Sequence, residues 1–461
     1  MLTIHCNENF IQERKYIFYV VFGYFWGLDY QIKFEERRDI LISDHVGKEL
    51  RLADTFLQME KEDWLMGKSL PLQPLLRLPI PNDYRKCTTD EILPIIYGDK
   101  EQDSGLFSAD ERYCSLDIFG SALFMLTRYE EIVKNERDRW GRFPANASIA
   151  FQENFLERPI VNEYLEILWQ WLTKHFKGLK RKSRSFLIMP THDVDFPFWN
   201  MAFKWSDRIR RLAGAAIKHR DFCLVKQNVG YMKNAIVGDF DKDPHNTFDT
   251  IMDISEEQDL ISNFYFMTSV GRDEKDGNYD ITHPEIRKLV KKMLSRGHKI
   301  GIHPGFGSMD KPQYIKEDVD KLRNMLAKEN MSVEKIGGRQ HYLHWCSPYT
   351  WQHYDQVGIE YDASLSYADH IGFRCGICYD YPAYNVITHE RYKLREYPLI
   401  IMDCSGLGEG YMHLSHEEML ARCLSLKGKV QKYQGTFVIL WHNTYFIKPE
   451  DIACYKHIMR C

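Results

Sequence analysis

The stretch FLIMPTHDVDFPFW, from Phe186 to Trp199, starts as an apolar run suited to burial and ends in His192, Asp193 and Asp195. Successive strand residues point to opposite faces, so Asp193 and Asp195 share one face and Val194 takes the other. Two neighbouring carboxylates repel, and one is driven to take up a proton unless a cation stands between them. A divalent metal resolves the conflict, because one carboxylate can bind it while the other stays free to accept a proton. Histidine is a common further ligand for zinc, cobalt or nickel. His303 in GHKIGIHPGFGS is the foremost candidate, and His341 in RQHYL is a further one.

Taken singly, these residues have plainer explanations. An Asp-x-Asp at a strand end is often a turn or a helix cap, and a lone strand-end histidine is more often satisfied by its neighbours. His192 is expected to point away from the two aspartates, and His298, ahead of its strand, to face solvent. His344, His353, His370 and His389 show no partner pattern. Cys375 and Cys378 in FRCGICYDYP read as structural: no second pair completes a zinc ribbon, and Pro382 opposes the helix a redox motif needs. The weight lies in the combination.

The elements that must position these groups alternate. Strand candidates SFLIMPTHDVD, ISNFYFMTS, HKIGIHPG, VEKIGGRQHYL, IEYDASLSY, LREYPLIIMD and GTFVILWHN are separated in several places by amphipathic helices such as PEIRKLVKKMLSRG and PQYIKEDVDKLRNMLAKEN. That alternation predicts a parallel sheet covered by helices. Seven strands fit a closed, distorted TIM-like (β/α)7 barrel, and no G-x-G-x-x-G turn follows the first of them. In strand after strand the reactive residue comes last: Asp193 and Asp195, His303, Arg339 and His341, Asp403, His442, with Asp362 inside the fifth. In α/β barrels those ends open on one rim, where active sites lie.

Ahead of the barrel, residues 1–180 mix short strands and helices and read as a smaller α+β accessory domain, with residues 181–461 forming the barrel. SLDIFGSALFMLTRYEEIVKNE is expected to be one amphipathic helix and RPIVNEYLEILWQWLTKHF another. The basic, aperiodic KGLKRKSR, Lys177 to Arg184, marks the seam. A formal net charge of -4 gives no reason to expect nucleic acid. The longest apolar run, YIFYVVFGYFWGL from Tyr16, falls short of a membrane span, and Glu8 and Glu13 before it argue against a signal peptide. A cytoplasmic chain is expected, its eleven cysteines reduced.

The ordered set THDVD, GHKIGIHPG, GGRQHY, YDASLSY and LWH resembles the five motifs of the polysaccharide deacetylases, carbohydrate esterase family 4, over about residues 185–445. The chain is similar in particular to a divergent bacterial branch associated with surface-polysaccharide synthesis. Its members carry an extra amino-terminal domain, which LTRYEE, RFPANASIAFQ and RPIVNEYLEIL resemble. The resemblance implies Asp193 as catalytic base, Asp195 and His303 as metal ligands, and Arg339 as the group orienting Asp193. It also implies the backbone N–H of Tyr342 as oxyanion donor and His442 as the acid for the departing amine. Three positions depart from the pattern. Val194 stands at the second aspartate, with Asp195 one residue late; Gly307 stands where a second metal histidine is expected; and His341 replaces a proline. His341 is the candidate to supply the ligand missing at Gly307.

The function implied is a metal-dependent hydrolase, with zinc foremost and cobalt or nickel as alternatives. It would remove N-acetyl groups from an amino sugar of a surface polysaccharide or its precursor. The alternatives are a degenerate saccharide-binding barrel and an O-acetyl esterase. Trp345, Trp441 and Tyr445 could stack on sugar faces or pack in the core.

Overall fold

The computed structural model describes residues 1–99, 105–202, 206, 209, 210, 213 and 222–460. The chain opens with β1 (Leu2–Cys6), whose alternate residues Leu2, Ile4 and Cys6 are buried. A helix, α1 (Ile11–Phe18), continues without a break into a wider helical turn over Tyr19–Phe25, and together they bury the apolar run from Tyr16. β2 (Tyr30–Phe34) then returns parallel to β1, and β3 (Asp39–Ser43) and β4 (Glu49–Ala53) form an antiparallel hairpin on its other side. A separate hairpin, β5 (Leu76–Pro79) with β6 (Ile92–Ile95), precedes β7 (Tyr113–Cys114), which completes a five-stranded sheet in the order β2-β1-β3-β4-β7.

The expected amphipathic helix from Ser115 onward is instead broken in two. Its first part, α2 (Ile118–Leu126), is buried on every side, with the Asp117 carboxylate accepting from the N–H groups of Gly120, Thr55 and Phe56. The chain turns at Arg128, in the left-handed region with φ 54°, before a further short helix over Tyr129–Val133. The break has a cause: Arg128, Glu130 and Glu131 are turned inward, where they meet Arg374 and Tyr367 from far along the chain. α3 (Ile160–His175) starts directly after Pro159. Among the described residues no helix is long and apolar enough to cross a membrane.

The second sheet has nine strands: β8 (Leu187–Val194), β9 (Asn263–Phe266), β10 (Lys299–Ile302), β11 (Gly337–Gly338), β12 (Tyr361–Asp362), β13 (Tyr381–Asn385), β14 (Glu390–Glu396), β15 (Leu399–Met402) and β16 (Thr436–Leu440). Their order is β13-β14-β12-β11-β10-β9-β8-β16-β15, and every neighbouring pair is parallel except β13 with β14. The expected strand LREYPLIIMD is thus divided: β14 pairs with β12, and β15 pairs with β16 at the opposite side of the sheet. Only Tyr397 and Pro398 lie between them, so the chain itself closes the sheet into a distorted TIM-like barrel. Proline suits that junction because it offers no N–H to either ladder.

Helices cover the outside: α4 (Phe248–Glu256), α5 (Pro284–Ser295), α6 (Pro312–Lys328), α7 (Tyr349–Gln356), α8 (His416–Lys432) and α9 (Pro449–Met459). In α5, Pro284 takes the first turn, His283 caps the N–H of Glu285, and Ile286, Leu289, Val290 and Met293 form the buried stripe. Each such side chain contributes about 1.5–3 kcal/mol on burial. Among the described residues a large apolar cluster runs from Leu2 to Met459, and a second, smaller one gathers Leu343, Ala368, Leu399, Met402, Val438 and Leu440.

Candidate active site

The site is assembled from strand ends. β8 carries Asp193 next to its last residue, and Asp195 follows in the bend beyond Val194. The hydroxyl of Tyr279 donates to the Val194 carbonyl at 2.7 Å and fixes that bend. Gly277 packs so closely there that a Cβ would stand 2.2 Å from the Asp195 carbonyl oxygen. His303 follows β10, and its Nδ1 is 2.6 Å from the Arg339 carbonyl. A carbonyl only accepts, so Nδ1 carries the proton and Nε2 presents a lone pair to the site.

Distances give the arrangement. His303 Nε2 lies 3.2 Å from Asp195 Oδ1 and 3.7 Å from Asp193 Oδ2. His341 Nε2 is 3.7 Å from Asp195 Oδ2, while its Nδ1 donates to Asp276 Oδ1 at 3.1 Å. One ligand atom from each of Asp195, His303 and His341 falls within 4.8 Å of the others. Asp195 Oδ1 and His303 Nε2 are buried and have no hydrogen-bond partner. Leaving a buried polar atom unsatisfied costs about 1–3 kcal/mol, so two such atoms facing each other suit a cation between them. One carboxylate and two imidazoles form a donor set suited to zinc and similar cations. Gly307, in the turn after His303, brings no ligand, and His341 reaches Asp195 from the next strand end.

Two further pairs flank this group. Arg339, fully buried, donates from Nη1 to Asp193 Oδ1 at 2.9 Å and from Nε to the Ala363 carbonyl at 2.8 Å. His442, after β16, donates from Nδ1 to Asp403 at 2.8 Å, and its backbone N–H donates to the same carboxylate. The other ring nitrogen, Nε2, faces Asp195 Oδ2 at 3.7 Å. Asp403, Cys404 and His442 also lie close enough to share an ion. Asp403 is already committed to His442, however, and burial beside Asp403 pushes the Cys404 thiol well above its ordinary range. That trio is therefore a held imidazole.

Charge follows position. Burial works against ionised Asp195, yet His341 and His303 outweigh it and hold the carboxyl well below the usual range. Burial likewise opposes the charged form of His341, but Asp195 and Asp276 raise it to about 9. For His442, Asp403 followed by Asp195 and Asp193 overcomes burial and raises the imidazole to about 10. These groups open on a cavity of about 300 Å³ whose wall includes Arg142, Tyr342, Leu343, Tyr411 and Tyr445.

Other histidines lie apart from this cavity. His192 turns to the opposite side of β8, bonded to the Trp441 carbonyl and Ser262, and burial lowers it to about 3. His298, expected to face solvent, is only 3% exposed: its Nδ1 accepts the Ser262 N–H and its Nε2 meets Glu256 at the end of α4. Trp345 and Trp441 are core residues, whereas Tyr445 lines the cavity. Cys375 and Cys378 are free and buried. The sequence reading placed Asp403 at a strand end without its pairing to His442, and it missed Asp276 and Arg142. Asp403 closes a strand as the others do, and its pairing with His442 was open to inference. Asp276 sits in an aperiodic loop, and Arg142 lies in the first part of the chain; neither carries a local signal.

Residues 230–367 match the polysaccharide deacetylase family model, and residues 2–177 match a family of unknown function, DUF7033. No curated protein matches the chain. Among solved structures, a Mycobacterium smegmatis protein assigned to the polysaccharide deacetylases is 14% identical, with a TM-score of 0.39 over 60% of this chain and 83% of its own. One from Pseudomonas aeruginosa PAO1, similarly assigned, is 10% identical, with a TM-score of 0.38 over 68% and 90%. Puue allantoinase is also 10% identical, with a TM-score of 0.36 over 62% and 85%. The polysaccharide deacetylase family model thus lies across β9 to β12 of the barrel, and the amino-terminal part ahead of β8 matches the family of unknown function.

Proposed function

We propose that this protein is a metal-dependent carbohydrate deacetylase. In this reading it removes N-acetyl groups from an amino sugar of a surface polysaccharide or its precursor. The observation that carries the reading is the pair of orphaned buried atoms, Asp195 Oδ1 and His303 Nε2, beside His341 Nε2 and between two oriented acid–base groups. Asp195, His303 and His341 would hold the ion, zinc foremost. When bound, such an ion lowers the pKa of water and polarises a carbonyl.

The chain's own residues do the rest. Arg339 fixes one oxygen of Asp193 and leaves Oδ2 directed at the site, where it takes the proton of the attacking water. The backbone N–H of Tyr342 faces the developing oxyanion, a preorganised dipole that needs no rearrangement during the reaction. Asp403 keeps the Nδ1 proton of His442 in place, so that Nε2 can deliver a proton to the departing amine. That delivery matters because an amide anion is a very poor leaving group. Residues 1–180 and 181–461 form the two domains in this reading, joined at the basic segment before β8.

The test is acetate release from a panel of N-acetylated glycans by the purified chain, with metal content measured alongside. Wild type is expected to hold about one divalent ion and release acetate. Asp193→Asn should keep the ion and lose release, and His303→Ala should lose both. A wild-type chain that binds no divalent ion, or equal release by Asp193→Asn, would refute the proposal.

A further inference from the structure

The wall of the active-site cavity contains one residue from the amino-terminal family of unknown function, Arg142. Its guanidinium is locked at both ends. Asp138 accepts from Arg142 Nε at 2.8 Å, and the same carboxylate accepts from the backbone N–H groups of Trp140 and Arg142, closing a tight loop. Gly141, with φ 80°, allows that loop to lie against the barrel, where a Cβ would stand 3.3 Å from His344 Nε2. From this base, Arg142 Nη1 reaches across 200 positions of sequence and donates to the Tyr342 carbonyl at 2.8 Å. Arg142 is only 5% exposed.

The residue it grips is strained. Tyr342 and Leu343 both have left-handed backbones, with φ 62° and 51°. For residues with side chains that conformation is unfavourable, and it persists only where the surroundings enforce it. The turn links His341, which meets Asp195, to the Tyr342 N–H assigned to the oxyanion. On the barrel's side it is held by the His341 N–H on the Pro304 carbonyl and the Leu343 N–H on the Gln340 carbonyl. The Tyr342 carbonyl is held by Arg142, and the Trp140 ring packs 5.7 Å from the Tyr342 ring.

We infer that the amino-terminal part completes the active site: Arg142 is a positioning residue that enforces the strained Tyr342–Leu343 turn and thereby aims the Tyr342 N–H. This inference rests on the deacetylase reading for its catalytic consequence, though the held turn can be measured without it. A charged donor on a buried carbonyl is among the stronger hydrogen bonds available, and its partner Asp138 keeps it from swinging toward solvent. Arg181 to Arg184 of the basic segment line a different cavity, and Arg128, Glu131 and Arg374 are engaged with one another.

The experiment compares zinc-loaded full-length wild type with Arg142→Gln and Arg142→Lys. Hydrogen exchange over residues 339–345 reads the turn directly and is expected to quicken about tenfold in Arg142→Gln. In the same variant kcat is expected to fall about 100-fold with KM held within about twofold. Arg142→Lys, which keeps the charge without the fork, should recover part of kcat. Unchanged exchange in both variants overturns the inference, as does faster exchange with unchanged kcat. A rise in KM alone would make Arg142 a substrate contact and equally overturn it. Should Arg142→Gln fail to fold, Arg142→Lys supplies both readouts. If wild type releases no acetate from any substrate, the deacetylase reading falls, and exchange alone decides whether Arg142 enforces the turn.

Discussion

Asp276 offers a clean way to ask whether His341 is a metal ligand. Its Oδ1 accepts both the His341 Nδ1 proton at 3.1 Å and the Phe306 N–H at 2.7 Å, while Oδ2 meets the Ser269 hydroxyl at 3.3 Å. Asp276→Asn can keep all of these contacts: the amide oxygen replaces Oδ1, and the amide nitrogen donates to Ser269. What disappears is the negative charge. A hydrogen bond to a charged group contributes about 1.5–3 kcal/mol and a neutral one about 0.5–1.5 kcal/mol, so the loss is about 1–1.5 kcal/mol, or about 5–13-fold. Asp276→Ala removes the contact as well, and losing such a partner behind a ligating histidine typically costs about 10–100-fold in metal affinity. Zinc affinity measured by competition with a chromophoric chelator should therefore fall in the order wild type, Asn, Ala. Equal affinity in all three proteins would refute the reasoning and remove His341 from the ligand set.

Three other outcomes are expected. Asp403→Asn should lower kcat by about 10²–10⁴-fold, the range attributed to a positioned acid–base group, with metal content unchanged; loss of the ion would show that Asp403 binds it instead. Glu131→Gln leaves Arg374 and Arg128 short of their buried counter-charge, and breaking such a group costs about 3–5 kcal/mol, visible as a large drop in thermal midpoint. Burial raises Asp362 to about 6, and burial with Asp362 beside it raises Glu396 well above its usual range. The folded state then binds more protons than the unfolded one, so these groups lower stability as pH rises from about 4 through 6 and beyond. Glu396→Gln should flatten that decline in thermal midpoint between pH 5 and pH 8; an unaltered slope would count against it.

How far the sequence could be read depended on whether position along a strand determined position in space. Apolar runs that end in Asp, His or Arg are legible because a parallel barrel puts all such ends on one rim, and Asp193, His303, Arg339 and His442 do converge there. Alternation likewise explains why Asp193 and Asp195 both approach His303 and His192 does not. The helix after Ser115 misled because its charged residues are satisfied by Arg374, some 240 residues onward, and no local period records that. The divided strand misled for a related reason: Leu394–Asp403 reads as one extended run, and only tertiary pairing assigns its halves to different neighbours. Asp276 and Arg142 lie in loops, where spacing carries no information about direction.

The two-residue tether at Tyr397–Pro398 also sets a dimension. It fixes the girth of the cylinder by covalent length, in a place where strand pairing could slip. Asp403 rides on the far side of that tether and Arg339 on the near side, so two peptide units join the part of the rim that orients His442 to the part that orients Asp193. Inserting a single glycine there would lengthen that link while leaving the direct pairing of β16 with β8 in place.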